Sequence, residues 1–258
     1  MKNSLIMYLV KQDLIDSYSG SILGGLWSFI IPLVNITVFI VIFSKIMGAK
    51  LNVLGVDFQE YSYSIYLVSG VLAWNYFSNT LVRITNIFNE KAGLITKVNT
   101  NLLVLPLYII ISESVIFFIS MSFFLLFLLI IGFPVTKYWM VLIIIYFLQS
   151  IFAYGLGLFL ATLSVFIKDI SEFTRVIVQL WFWFTPLVYV MDILPEKYKI
   201  IFELNPMYHI VNAYRDVIVR SQLPDMYSLS LFFIFSMFLF LCAVYFFRKL
   251  EKDIRDFI

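Results

Sequence analysis

Six long apolar runs divide this chain, and none shows the periodic stripe that a soluble helix carries. They cover about Trp27–Lys45, Ser62–Leu81, Pro106–Ile131, Trp139–Leu163, Val176–Met191 and Ser228–Phe247. A helix needs about 20 apolar residues to cross the roughly 30 Å hydrocarbon core of a bilayer. In lipid only helices and closed barrels satisfy every backbone polar group. Barrel strands alternate apolar and polar residues, and a run such as Ile116–Ile131 does not alternate. With 62% hydrophobic and 13% charged residues, the sequence predicts one all-α integral membrane domain over residues 1–258, with six transmembrane helices.

Several classes of chemistry are excluded. A net charge of +2 without a basic tail gives no footprint for nucleic acid. Cys242 is the only cysteine, so neither a disulfide framework nor a Cys/His metal site can be assembled. The glycines of Ser19–Leu26 lack the Lys-Ser/Thr of a phosphate-binding loop, so this chain does not hydrolyse ATP alone by that route. No cleavable signal peptide is visible: the apolar stretch Leu5–Val10 is short, and Lys11 and Asp13 end it.

Residues 3–18 read as an amphipathic helix with Ile6, Leu9, Val10, Leu14 and Tyr18 on one side. Such a segment before a first span predicts an N-terminal interfacial helix, the alternative being a plain cytoplasmic helix. The second run is unusually polar, with Ser69, Asn75, Ser78 and Asn79, and the short fifth contains Pro186. An even number of spans puts both termini on one side. Eleven of the eighteen Lys and Arg then fall on that side, which predicts cytoplasmic termini. Two connections stand out. Arg83–Val104 is polar and long enough for a short helix near Asn89–Lys97. In Asp192–Met226, apolar residues from Met207 to Ile218 recur at helical spacing, with His209, Asn212, Asp216 and Arg220 elsewhere. Asn205 is the expected N-cap and Pro206 the first helical residue. An amphipathic helix after a proline-bearing short span predicts an external re-entrant segment before the last span.

Glu113 lies near the start of the third run, between Ser112 and Ser114. A carboxylate there is costly and tends to face the bundle interior or water. It is either a polar lining residue, a partner for a basic residue, or an interface carboxylate reaching headgroup water. The lone His209 makes acid/base catalysis a poor reading. Phe39 and Phe43 sit one turn apart on the first span, and Trp181–Phe184 cover every side of the fifth. Sugar rings pack their CH faces on such aromatics, so Phe39, Phe43, Trp181, Phe184 and Glu113 are candidates for lining a pore.

Tyr18, Ser21, Leu23, Gly24, Trp27 and Pro32 form a pattern leading into the first span. Val165–Ile170, Thr185–Tyr189, Leu204–Pro206 and Ala213–Asp216 come after it in that order. Together they resemble the polysaccharide-export permeases of the type-2 ATP-binding-cassette exporters, which serve O-antigen, capsule and teichoic acid. Two departures are Ser17, where that family usually has Arg before the tyrosine, and Lys168, where Arg is common.

The resemblance implies a permease that moves a lipid-linked polysaccharide across the bacterial inner membrane. A second copy of the chain would complete the channel. A pair of ATP-binding subunits would hold the ATP and Mg, leaving this chain with no cofactor of its own. Helices near Asn89–Lys97 and Ser164–Glu172 would dock those subunits, with Glu90, Lys91, Lys97, Lys168 and Asp169 as coupling candidates. Tyr18, Ser21, Gly24 and Trp27 would meet the substrate where it enters from the membrane lipid. Pro206, His209, Arg215 and Asp216 would shape the external gate. Two other readings are a type-2 exporter of drugs or lipids, and a membrane-embedded transferase. The transferase would need a cluster of His, Asp or Glu on one membrane face, and Glu113 and His209 are assigned to opposite regions.

Overall fold

A computed structural model describes residues 2–16, 21, 24–46, 60–97, 101–191 and 195–258. Among these the regular structure is all helical. The helices are α1 (Lys2–Asp16), α2 (Trp27–Ile40, continued as a π-helix over Val41–Ile46), α3 (Ser62–Glu90), α4 (Ala92–Lys97) and α5 (Leu107–Ile130). After them come α6 (Val141–Phe166), α7 (Asp169–Trp183), α8 (Glu196–Glu203), α9 (Pro206–Ile218) and α10 (Met226–Phe257). Three stretches are long and apolar enough to cross a membrane: Leu107–Ile130, Lys137–Phe166 and Met226–Phe257. Ile30–Ser44 is a shorter apolar helix.

α3 is the post around which the others stand. Twenty of its 29 residues are buried, against six of 32 in α10. This accounts for part of the polarity of the second run: Ser62, Ser64, Ser69 and Thr80 are buried against protein, whereas Asn75 and Asn79 are exposed. Phe77 stacks on Phe152 of α6 at 5.4 Å between ring centroids, and Trp181 of α7 meets Phe77 edge-on at 5.2 Å. Gln149 of α6 donates to the Ala73 carbonyl at 2.6 Å. α6 in turn packs closely on α10, where a Cβ on Gly155 would stand 3.0 Å from the Phe240 backbone.

Several boundaries differ from the sequence expectation. α3 runs on to Glu90, so Arg83 lies in a helix and not in a connecting loop. Ser164–Glu172 is not one helix. α6 ends at Phe166, Ile167 is extended, and α7 starts at Asp169, which makes a corner with Lys168 at its turn. α7 ends at Trp183, leaving Pro186 beyond the helix rather than inside it. The residue before a proline is pushed away from helical torsions, and here that residue is Thr185. In α1, Leu9 and Val10 are buried as expected, but Asp13 turns to the protein side with them.

The unwound stretch Phe184–Tyr189 contains six backbone carbonyls, and each finds a donor. Asn205 Nδ2 donates to Phe184 at 2.9 Å, and the Leu187 amide donates to Thr185. Arg215 Nη1 donates to Pro186 at 2.7 Å and Nη2 to Leu187 at 2.9 Å. The Tyr63 hydroxyl donates to Val188, and the Tyr66 hydroxyl to Tyr189 at 3.1 Å. Arg215 is fully buried on α9, with its guanidinium carbon 3.5 Å from the centre of the Tyr66 ring. Its other donations go to the Tyr66 carbonyl and hydroxyl. The expected cap of α9 forms as well: Asn205 Oδ1 accepts from the Met207 amide at 2.9 Å, and from Trp181 Nε1 at 2.8 Å.

Losing these donors strands buried carbonyls, at about 1–3 kcal/mol for each. Arg215→Met is therefore expected to cost about 3–5 kcal/mol, the range for breaking a buried charged network. Arg215→Lys recovers only part, because an ammonium lacks the planar fork. A Cβ on Gly70 would lie 2.8 Å from Arg215 Nη2, so Gly70→Ala is expected to destabilise by about 1–3 kcal/mol. Thermal unfolding of the purified chain in nanodiscs measures all three. Melting temperatures unchanged by Arg215→Met would show that the carbonyls have other partners.

Candidate functional site

α2, α3 and α5 enclose a cavity of about 210 Å³. Its lining includes the apolar Ile36, Phe39 and Ile116 and the polar Asn35, Asn75, Asn79 and Glu113. Asn75 and Asn79 stand one turn apart on α3 and are exposed within the single chain, as is Asn35 on α2. Glu113 lies at the end of the cavity nearest α1. Its Oε1 accepts from Arg83 Nη1 at 2.6 Å, while Arg83 Nη2 donates to Asp13. One guanidinium thus binds two carboxylates and ties α1 to α3 and α5. The Glu113 side chain is 5% exposed and that of Arg83 30% exposed, so the pair is largely shielded from water. Of the readings open for Glu113, the arrangement combines two: it lines a cavity and it partners a basic residue.

A second concavity, about 620 Å³, lies where α3 and α4 meet the α6–α7 corner and the end of α10. Asn86, Asn89, Lys168 and Glu172 contribute to it. Asn89 donates to the Ser164 carbonyl at 3.3 Å and Ser171 to Asn86 Oδ1 at 3.1 Å, which pins the corner to α3. Of the coupling candidates, Glu90, Lys97, Lys168 and Asp169 are exposed. Lys91 is half-buried, with Nζ 5.5 Å from the Tyr108 ring centre.

A third space of about 370 Å³ is bounded by α8, α9 and the start of α10, and includes His209, Asp216 and Arg220. The Asp216 carboxylate accepts from Arg220 at 2.7 Å and from Gln222 at 2.9 Å. His209 Nε2 lies 2.7 Å from the Glu203 carbonyl. Asp225 caps α10, and the Ser228 hydroxyl, joined by the Ser228 and Tyr227 amides, holds its carboxyl below the usual carboxylate range. Its contribution to folding is present above the unfolded-state pKa and is lost as pH falls through the depressed folded-state value.

The other candidates occupy varied places. Tyr18 lies outside the described residues. Ser21, Gly24 and Trp27 come together in one turn: Trp27 Nε1 donates to Ser21 Oγ at 2.8 Å, and Gly24 takes a positive φ of 48°. Phe39 lines the α2/α3/α5 cavity, and Phe43 packs on Phe39 and Tyr63. Trp181 does not line that cavity; it is half-buried against Trp74, Phe77 and Phe152. Phe184 is exposed, near Phe202. Pro206 opens α9, and Arg215 is in the core rather than at an external surface. The sequence reading missed the Asp13–Arg83–Glu113 cluster. Its signal was the four-residue spacing of Asn75, Asn79 and Arg83, which continues the polar edge of α3 past the apolar run.

Residues 4–219 match the ABC-2 type transporter family. The chain belongs to that family. Among similar proteins is an O-antigen export system permease protein RfbA of Klebsiella pneumoniae, 27% identical over 230 residues, which covers 89% of this chain and 85% of the relative. A second RfbA of that organism is 26% identical over 96% of this chain and 92% of its own length. RfbA of Myxococcus xanthus is 24% identical, covering 86% of this chain and 82% of its own length. Family membership and the apolar helices together make this a multi-pass membrane protein.

The ion cluster of this transporter makes a sign-reversal test. Arg83→Met takes the countercharge from the buried Glu113 carboxylate and is expected to cost about 3–5 kcal/mol. Glu113→Gln alone costs less, because Asp13 still holds the guanidinium. Once Arg83 is Met, adding Glu113→Gln should restore stability, since it removes an orphaned buried charge. A double-mutant cycle on melting temperature reads this coupling; additive losses would mean that the two side chains do not depend on each other.

Proposed function

We propose that this chain is the membrane subunit of an exporter that carries a lipid-linked polysaccharide across the bacterial inner membrane, powered by a separate ATPase. The observation that carries this reading is similarity to O-antigen export permeases over nearly the whole of each chain, within a transporter family. The chain crosses the membrane six times, with both termini in the cytoplasm. α2, α3, α5, α6, α7 and α10 make the crossings, and α8 and α9 form the external re-entrant pair.

Two copies associate around the export path. The outward apolar residues of α7, including Phe173, Val176, Leu180 and Trp183, support a second copy or lipid against that face. The chain binds no cofactor; ATP and Mg belong to the partner pair. Those subunits dock at the concavity beside the α6–α7 corner. Because Asn89 and Asn86 bind the corner to α3, movement imposed at Lys168 passes directly to the most buried helix of the bundle. Ser21, Gly24 and Trp27 stand at the head of α2, where substrate arriving from the lipid meets the protein. His209 and Asp216 border its exit.

Lys168→Glu tests this reading. Lys168 makes no side-chain cap to α7, so folding should be kept. Polysaccharide export should fall about tenfold or more while the purified complex still hydrolyses ATP, and the isolated chain should show no turnover. Measuring surface polysaccharide beside ATP hydrolysis decides it. Full export by the variant would remove the corner from coupling, and robust ATPase activity of the chain alone would contradict the subunit assignment.

A further inference from the structure

We infer that the α2/α3/α5 cavity is a binding subsite for one neutral, hydroxyl-rich ring, held by the side-chain amides of Asn35 and Asn75 against the face of Phe39. This deepens the proposed function and rests on it. The physical case starts from cost. Polar side chains on membrane-spanning helices are expensive and face the protein interior or water. Asn35 and Asn75 are exposed within the single chain, and their amides have no hydrogen-bond partner among the described residues. The other polar groups nearby are already engaged. Tyr76 shares a hydrogen bond with Ser150, and Ser120 bonds back to Ile116. The fold therefore leaves two amides uncommitted in a space walled by apolar side chains. Apolar walls with a few convergent polar groups are the general form of a small-ligand site.

Size and charge narrow the ligand. The cavity is about 210 Å³, below the roughly 300–1,000 Å³ of drug-sized ligand sites, which suits a single ring rather than a folded chain. Glu113 is the one carboxylate that lines it, and that charge is engaged by Arg83, so little field remains to select a cation. A side-chain amide both donates and accepts, which fits adjacent hydroxyls that do the same. Phe39, half-buried on α2, supplies a flat apolar face for the CH side of such a ring. The hydroxylated ring comes either from the exported polymer or from a neutral glycolipid headgroup.

The test uses the full complex with its ATPase in nanodiscs, comparing native protein with Asn35→Leu, Asn75→Leu and Asn75→Gln. Two probes are titrated: free oligosaccharides released from the cell's own surface polysaccharide, and monoglucosyl diacylglycerol incorporated into the disc. Binding is read by calorimetry for the first and by headgroup protection from a soluble glucosidase for the second. Each leucine variant should weaken binding about tenfold, equivalent to about 1.4 kcal/mol, while Asn75→Gln keeps it within about threefold of the native protein. Weakening with the oligosaccharide identifies the polymer as the source, and weakening with the glycolipid alone identifies the headgroup. Leucine suits a membrane helix, and size-exclusion profiles confirm that the variants fold. Native-like binding of both probes by both leucine variants overturns the subsite, as does failure of the native complex to bind either probe. Polysaccharide export by the native complex is measured in parallel. If it persists while the subsite fails, the proposed function stands; if it is absent, that reading falls first.

Discussion

A helix that stops within a packed bundle leaves buried carbonyls that need new donors, and the solution to that problem organises this protein. The six carbonyls of Phe184–Tyr189 are bound by Asn205, Arg215, Tyr63, Tyr66 and one backbone amide. Arg215 contributes the most. Its planar fork reaches two successive carbonyls while its face lies on the Tyr66 ring. Bonds from a charged donor are about twice as strong as neutral ones, which offsets part of the cost of burying the charge. The same side chain fixes α9 against α3, and the need for room beside it is met by glycine at position 70. Break, α9 and central helix are therefore one cooperative unit.

That unit explains the polarity of α3. A helix surrounded by others can carry Ser, Thr and Tyr because their hydrogen bonds turn inward: Thr85 to Leu81, Ser69 to Tyr66, and Tyr76 with Ser150 of α6. α10 shows the opposite regime. It packs along one edge through Leu229, Phe232, Ser236, Ala243 and Phe247, and offers Ile234, Phe238, Leu241 and Tyr245 outward. The two helices have similar lengths and very different surroundings, and their compositions reflect that difference.

The sequence carried much of this. The uninterrupted apolar runs located the longest helices, and Asn205-Pro206 marked the start of α9 because an N-cap and a first-turn proline are local signals. Helix ends were harder. Arg83 ended an apolar run and so read as a loop, yet α3 continues because Asp13 and Glu113 neutralise it from two other helices. Lys168 and Asp169 read as one short docking helix with their neighbours, whereas they form a corner held by Asn89 and Ser171. The resemblance alone puts Arg215 at the external gate, and nothing in the sequence marks its burial. Its partners are carbonyls more than 25 positions distant in the chain, and a carbonyl leaves no mark in a sequence. In each case the deciding partner belonged to a different part of the chain.

The polar groups within the bundle fall into two kinds, and the distinction bears on function. Those around Phe184–Tyr189 are saturated: each donor answers a carbonyl, and the result is a dry, rigid brace. Those beside α2 are only partly used. Arg83, Asp13 and Glu113 close one end of the cavity, but Asn35 and Asn75 beyond them are left without a protein partner among the described residues. A bundle that needed these positions only for packing would be better served by leucine, since an amide in a membrane helix has a cost that packing alone does not offset. The saturated brace and the uncommitted amides are neighbours on α3, so one helix carries both a rigid hydrogen-bonded support and a polar surface that the fold itself does not use.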